Sequence, residues 1–493
     1  KSKVFNKLYK VRNSMSELRE ECGVVGVFSP RETYEIGRTV YYGLYSLQHR
    51  GQESCGIVVN DDGVFASHKD LGLVNDVFNN STLDELGVGS LAVGHVRYGT
   101  TGKNERANAQ PIVVNHIKGS MAVAHNGNIV NSGDLRRELE LEGSIFQTTS
   151  DTEVIAYLIT KERLRTDCIE NAINAAMHRL KGAYSLCVMS PNKLIAVRDD
   201  RGFRPLCYGL TEDGRYVVAS ESCALDAVGA KFVRDIEPGE IVIFNHDGIR
   251  SIKDHCNKNP KSICIFEYIY FARPDSKIDG ISVHRARVEA GRALAIDYPV
   301  DADIVIGVPD SGLDAAVGYA RESGIPYGMG FVKNKYIGRT FIAPGQAQRE
   351  KLVNIKLNVI EETVRGKRVV MIDDSIVRGT TSRNIVEKLR HAGAKEVHLM
   401  LTAPPFVDEC YYGTDVSDKS QLIAANHTVD EICTLIGCDS IGFLKMERLH
   451  EMIGTAPNVG YCDACFGGEY PAGRATTGKF KFETKLSESK KKE

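Results

Sequence analysis

The chain has 493 residues, too many for one hydrophobic core, and divides into two or more domains. Its 62 basic and 64 acidic residues leave a formal charge of -2, which excludes bulk electrostatic attraction to nucleic acid, and no apolar run is long enough to cross a membrane. Thirteen cysteines, an odd number scattered over the whole length, exclude the layout of a small disulfide-stapled secreted domain; with no signal-peptide core at the start, the expected setting is the cytoplasm.

Residues 1–21 are charged, lack an apolar pattern and read as a leader outside any core. At Cys22 the character changes to Cys-Gly-Val-Val-Gly-Val-Phe, a strand opened by a cysteine. Taken alone, that residue is a buried strand thiol. Four polar clusters follow: Gln-His-Arg-Gly at 48–51, His-Val-Arg-Tyr-Gly-Thr-Thr-Gly at 95–102, His-Asn-Gly-Asn at 125–128 and Ser-Asp-Thr-Glu at 150–153. Each is predicted to be a loop at the end of an apolar strand, most clearly the runs 91–96 and 121–124, and polar loops at strand ends build sites. Helices are predicted over 153–164 and 168–180, and strands over 184–189 and 194–198. The charged turn 199–206 fits either a salt-bridged structural role or a catalytic one. A strand at 240–244 leads into a polar, basic stretch, 245–261, where a domain boundary is expected near residue 258.

The second half alternates strand and helix, the pattern of a parallel α/β sheet. A helix follows Val283, a buried strand spans 304–308, and Asp310-Ser311-Gly312 opens another helix. The stretch 333–357 is basic and interrupted by Gly338, Pro344 and Gly345. Residues 369–382 read Val-Val-Met-Ile-Asp-Asp-Ser-Ile-Val-Arg-Gly-Thr-Thr-Ser, a strand, an anion-handling loop and the start of a helix carrying Ile385 and Leu389. Successive N–H groups over 378–381, with hydroxyls beside them, wrap a phosphate at the positive end of that helix. Asp373 and Asp374 would repel the phosphate and suit ribose hydroxyls or a divalent metal, so the loop fits a sugar phosphate. The Gly-Lys-Ser/Thr ending of a Walker loop is missing. Near the C-terminus, Cys462 and Cys465 form a Cys-x-x-Cys pair, preceded by Cys410 and far upstream by Cys264; the spacing alone leaves zinc, redox chemistry or no function open. Residues 476–493 are a Lys- and Glu-rich tail.

Cys22-Gly23 with the four clusters in this order resembles the class II glutamine amidotransferase domain, an N-terminal nucleophile hydrolase with an αββα sandwich. The resemblance implies that Cys22 is the nucleophile and its own α-amine the base, and that the Asn126 side chain with the Gly127 N–H forms the oxyanion hole. It implies further that Arg97 pairs with the glutamine α-carboxylate, Asp151 holds the α-ammonium and Thr100 helps to position the substrate. Because 21 residues precede Cys22, it also implies a propeptide, and Glu20-Glu21 resembles its junction.

Residues 369–382 resemble the phosphoribosyl pyrophosphate (PRPP) loop of the type I phosphoribosyltransferases, and Val-Pro-Asp-Ser-Gly at 308–312 resembles their pyrophosphate loop. This implies PRPP held by Asp373, Asp374, Ser375, Arg378, Gly379, Thr380 and Thr381, magnesium near Ser311, Asp373 and Asp374, and a lid over 333–357 with Lys333, Lys335 and Arg339 as its cations.

With motifs in both halves over roughly 22–470, the sequence resembles the glutamine PRPP amidotransferase family, in its iron-sulfur, propeptide-bearing form. The domains implied are a leader 1–21, a glutaminase 22–258, a phosphoribosyltransferase with an iron-sulfur site 259–475 and a tail 476–493. A 4Fe-4S cluster on Cys264, Cys410, Cys462 and Cys465 follows from the resemblance; Cys433 and Cys438 are nearer rivals, set aside because the family match at 404–415 surrounds Cys410. The family also implies glutamine and PRPP as substrates, purine nucleotides as feedback inhibitors, a homotetramer, and no nucleic-acid or membrane partner. Two other readings are a glucosamine-6-phosphate synthase type, which shares only the first half, and a PRPP- or redox-sensing regulator, for which no DNA-binding segment is present.

Overall fold

The computed structural model describes residues 22–99, 104–334, 357–414, 416, 418–455 and 460–475. The leader, Thr100, Lys335, Arg339 and the tail 476–493 lie outside the described residues.

The strand Gly23–Thr33 is apolar on both faces: Val24 and Phe28 point one way, Val25 and Val27 the other. Such a strand must be covered twice, and the first half is built to do so. Among the described residues, one antiparallel sheet has seven strands in the order Lys231–Asp235, Cys207–Leu210, Tyr216–Ala219, Gly23–Thr33, Gly89–Arg97, Ser54–Asp61, Val64–Leu71. A second has six, in the order Gly248–Ile252, Ile241–Asn245, Lys193–Arg198, Gly182–Ser190, Gly119–Ile129, Ile112–His116. Val24, Phe28, Val58 and Val93 of the first sheet meet Ala122, Ala124, Met189 and Leu194 of the second. Helix Glu35–Ser46 covers the outer face of the first sheet through Ile36, Val40 and Leu44; helices Asp151–Arg163 and Ile169–Met177 cover that of the second. The result is an αββα sandwich.

Several sequence expectations change here: the cluster 48–51 follows the helix Glu35–Ser46 rather than a strand, and 150–153 caps and enters the helix Asp151–Arg163. The cluster 125–128 does not form a loop after a strand, because Gly119–Ile129 continues through it and pairs Asn126 with Ser185 and Gly127 with Tyr184. The stretch 245–261 contains the edge strand Gly248–Ile252, whose Ile249, Arg250 and Ser251 are exposed; an edge strand that buries so little carries no readable apolar period.

In the second half, four parallel strands lie in the order Ile304–Gly307, Arg368–Asp373, Glu396–Leu401, Ser440–Phe443 among the described residues. Alternation again divides them. Val370, Ile372 and Met400 face helices Val283–Asp297 and Gly312–Ser323, while Val369, Met371 and Leu399 face helices Thr380–His391 and Val429–Ile436. The short strands Ser262–Cys264 and Gly460–Cys462 pair in parallel, Cys264 opposite Cys462.

Buried charges join the halves. Arg198 forms a bidentate pair with Asp279, at 2.8 and 3.0 Å, and Arg204 reaches Glu267 and the Tyr412 carbonyl. The charged turn after Arg198 is structural: the Asp199 carboxylate accepts the N–H groups of Arg201 and Phe203, and the carbonyls of the same two residues accept Ser262 N–H and Cys264 N–H.

Candidate functional site

Cys22 immediately precedes the strand Gly23–Thr33 and lies buried, its thiol 3.3 Å from the Tyr98 carbonyl oxygen. Strand alternation puts its side chain on the same side as Val24, toward the space between the sheets. Asn126, two residues beyond Ala124, faces that space from the opposite sheet. It is fully buried, and neither polar atom of its side-chain amide has a hydrogen-bond partner among the described residues. A buried amide left in this way costs on the order of 1–3 kcal/mol and calls for a ligand.

The backbone beside it is equally ordered. His125 N–H donates to Gln110 Oε1 at 2.8 Å and Ile129 N–H to Asp151 Oδ2 at 3.1 Å, so the two-residue period turns the Gly127 N–H to the same strand edge. Gly127 has φ +137°, and a Cβ there would stand 2.2 Å from the Ala183 carbonyl oxygen. Only glycine fits. On the oxyanion role that the sequence resemblance implies for Gly127, Gly127→Ala is expected to lower glutamine hydrolysis by about 10²–10³-fold while ammonia-dependent turnover of PRPP persists; the two assays run side by side check it.

Arg97 closes the strand Gly89–Arg97 and is buried, and Asp151 is buried at the start of helix Asp151–Arg163, where Ser150 accepts the Thr152 N–H. His95 Nε2 donates to the His125 carbonyl at 3.0 Å, and burial pushes the His95 pKa down to about 3, so the ring stays neutral. The structure thus gathers Cys22, Arg97, Asn126, Gly127 and Asp151 at one end of the sandwich.

In the second half, the loops after two neighbouring parallel strands meet. Ser311 Oγ donates to Asp374 Oδ2 at 2.5 Å, and Ser375 Oγ donates to the other oxygen. Asp373 N-terminal to it is buried, and burial raises the Asp374 pKa against the opposing hydrogen bonds of the two serines. Gly379, at φ +80°, turns the chain into helix Thr380–His391, placing the N–H groups of 379–381 at its N-terminus with Arg378 just before. Lys333 pairs with Asp310 of the 308–312 loop.

Cys264, Cys410, Cys462 and Cys465 line one cavity together with Phe203, Arg204, Tyr412 and Tyr470. Burial, then the charges of the other cysteines, pushes the thiols of Cys462 and Cys465 upward, as burial also does at Cys187 and Cys207 elsewhere. As they stand, no three His, Cys, Asp or Glu side chains among the described residues are gathered into a metal-holding group, so neither these thiols nor the Asp373–Asp374 pair forms a finished coordination sphere. Cys433 and Cys438 do not line the cavity; their sulfurs lie 3.5 Å apart across the left-handed Gly437, whose N–H bonds the Cys433 carbonyl at 2.9 Å in an αL cap at the end of helix Val429–Ile436.

Two residues of the site region were given no role from the sequence, Arg50 within the 48–51 cluster and Glu267 outside any motif. Arg50, fully buried, donates from Nε to the Cys22 carbonyl, and Glu267, fully buried, is its bidentate partner. The available signal was Glu267 itself, a lone acid in the apolar run Phe-Glu-Tyr-Ile-Tyr-Phe at 266–271, since a buried carboxylate demands a cation.

Fold and site together define a glutamine amidotransferase domain joined to a phosphoribosyltransferase domain. The sequence matches the glutamine amidotransferase domain over 95–227 and the phosphoribosyl transferase domain over 281–437. It is 50% identical over 451 residues to the amidophosphoribosyltransferase of Archaeoglobus fulgidus, covering 91% of this chain and 98% of that one, and 50% identical over 458 residues to that of Bacillus subtilis, covering 92% and 94%. The fold superposes on the B. subtilis glutamine PRPP amidotransferase complexed with ADP and GMP with a TM-score of 0.86, at 48% identity and 93% and 99% coverage. With the structure of an allosteric regulatory enzyme of purine biosynthesis the TM-score is 0.87, at 48% identity and 94% and 100% coverage. The chain belongs to the amidophosphoribosyltransferase family, and is an enzyme. No helix among the described residues is long and apolar enough to cross a membrane.

Proposed function

We propose that the chain converts glutamine, PRPP and water to 5-phosphoribosylamine, glutamate and pyrophosphate, the first step of purine synthesis, in the cytoplasm. The observation that carries the glutaminase half is the buried, unpartnered Asn126 amide facing the same inter-sheet space as the Cys22 thiol. In this reading the Cys22 thiolate attacks the side-chain amide carbon of glutamine, while Arg97, Thr100 and Asp151 hold its α-carboxylate and α-ammonium. The developing oxyanion lies between Asn126 Nδ2 and Gly127 N–H. Collapse expels ammonia and leaves a thioester, which water hydrolyses to glutamate. Ammonia then attacks C1 of PRPP as the C1–O bond to pyrophosphate breaks. Ser375, Arg378, Gly379, Thr380 and Thr381 grip the 5-phosphate, Asp373 and Asp374 the ribose, and Lys333, Lys335 and Arg339 close over the pyrophosphate. The oxygen donors of Ser311, Asp373 and Asp374 suit magnesium, which when bound would neutralise charge on the leaving group.

We further assign the leader 1–21 as a propeptide whose removal frees the Cys22 α-amine to act as base; N-terminal sequencing of active protein checks it, and an intact leader on fully active enzyme overturns it. Cys264, Cys410, Cys462 and Cys465 are assigned to a structural 4Fe-4S cluster, supported by their sharing one cavity. Cys410→Ser is expected to bring iron and acid-labile sulfide to background in anaerobically purified protein. The ADP and GMP in the similar B. subtilis structure support feedback by purine nucleotides, and a homotetramer is proposed with it. The deciding experiment for the whole reading is glutamate release from glutamine with and without PRPP. Release that rises with PRPP supports coupled sites; equal release in both conditions sinks them.

A further inference from the structure

A reaction that makes ammonia in one half and uses it in the other needs the first half to answer the second, and a continuous buried path runs between the two sites. Arg50 sits at one end. Its Nε donates to the Cys22 carbonyl at 3.0 Å, Nη1 to Glu221 at 2.6 Å and to Glu267 at 3.0 Å, and Nη2 to Glu267 at 2.7 Å. Glu221 is also held by His49 at 2.8 Å, Ser276 at 2.7 Å and the Arg273 N–H at 3.0 Å, and Arg204 approaches Glu267 at 3.4 Å. Arg50, Glu221 and Glu267 are all fully buried, and Glu267 holds Arg50 through both carboxylate oxygens, so a shift of Glu267 pulls on the group that binds the Cys22 carbonyl.

Glu267 opens a π-helical turn, Glu267–Phe271, closed by the Ala272 N–H to Glu267 carbonyl bond. Turns of this kind hold one residue more than an α turn and recur at functional sites. Arg287 grips its far end: Nε donates to the Tyr268 carbonyl at 2.9 Å, and Nη2 to those of Tyr270 and Ala272 at 3.0 and 2.7 Å. Arg287 belongs to helix Val283–Asp297, which crosses helix Gly312–Ser323 at backbone contact. A Cβ on Gly291 would lie 1.8 Å from the Ala315 carbonyl oxygen, and one on Gly318 2.0 Å from that of Val288. The second helix begins beside Ser311, which is hydrogen-bonded to Asp374.

We infer that Arg50, Glu267 and Arg287 are positioning residues that pass the state of the phosphate-binding loops to the backbone of Cys22. This rests on the function proposed above. Movement of Ser311 and its helix shifts Arg287, Arg287 pulls the carbonyls of the π-helical turn, and the turn sets the Glu267–Arg50 fork that fixes the Cys22 carbonyl. None of the three touches a substrate in this reading.

The test uses the full-length enzyme with Glu267→Gln and Arg287→Lys; lysine keeps the charge but cannot span three carbonyls. Glutamate release is measured with and without PRPP, and pyrophosphate release from PRPP is measured with ammonia in place of glutamine. The expected result is a stimulation by PRPP reduced about tenfold or more in both variants, with ammonia-dependent pyrophosphate release within about twofold of wild type. Stimulation unchanged within about twofold in Arg287→Lys overturns the inference, even if Glu267→Gln fails to fold. A wild-type enzyme that PRPP does not stimulate overturns instead the coupled function on which it rests.

Discussion

Cys22→Ala is expected to abolish glutamine-dependent turnover, by about a thousandfold or more, because in the proposed mechanism its thiol forms the thioester. The same variant should retain ammonia-dependent synthesis of phosphoribosylamine, since the phosphate-binding loops lie in the other half. The fold should survive: losing a single buried heavy atom costs about as much as losing a methyl group, about 1 kcal/mol. Parallel assays of glutamate and pyrophosphate release decide the matter. Glutamate release that persists in Cys22→Ala would remove the thiol from the mechanism altogether.

Asp374→Ala is the mirror experiment. Asp374 is the common acceptor for Ser311, at 2.5 Å, and Ser375, and its own carbonyl accepts the Ala403 N–H at 2.8 Å. Without the carboxylate, the two loops lose the bonds that gather them, and in the proposed mechanism the leaving pyrophosphate loses a site for its counter-ion. Pyrophosphate release should fall about 10²–10³-fold with either nitrogen source, and basal glutamine hydrolysis should remain without responding to PRPP. An Asp374→Ala enzyme that still answers to PRPP would place the ribose elsewhere.

Much of this architecture was legible. The doubly apolar strand at Gly23, the alternating strands and helices beyond Val283, and the strand, acid pair and Gly-Thr-Thr turn at 369–381 each carry their period and breakers in the open. What escaped was whatever tertiary contacts decide. Residues 125–128 look like a loop because they are polar, yet the ladder with Gly182–Ser190 keeps them extended, and that extension is what aims Asn126 and Gly127. The edge strand Gly248–Ile252 buries too little to show a period. The roles given to Arg97 and Asp151 came from resemblance, since no spacing in the sequence reveals that two residues so far apart share one end of a sandwich. Arg50 and Glu267 were hidden for the same reason, being partners across 217 positions.

The parallel pairing of Ser262–Cys264 with Gly460–Cys462 also sets an order of events during synthesis. The strands of the sandwich are complete at Ile252, whereas Cys462 and Cys465 follow Cys264 by about 200 residues, roughly 10 to 40 s of translation at ordinary rates. For that interval the nascent chain displays Cys264 without its neighbours, and the cavity between the halves closes only when nearly the whole polypeptide has emerged. The four-thiol site is therefore a record of completion: a chain stopped short of Gly460 has every strand of the sandwich and the parallel sheet, and lacks half of the thiols that line the cavity.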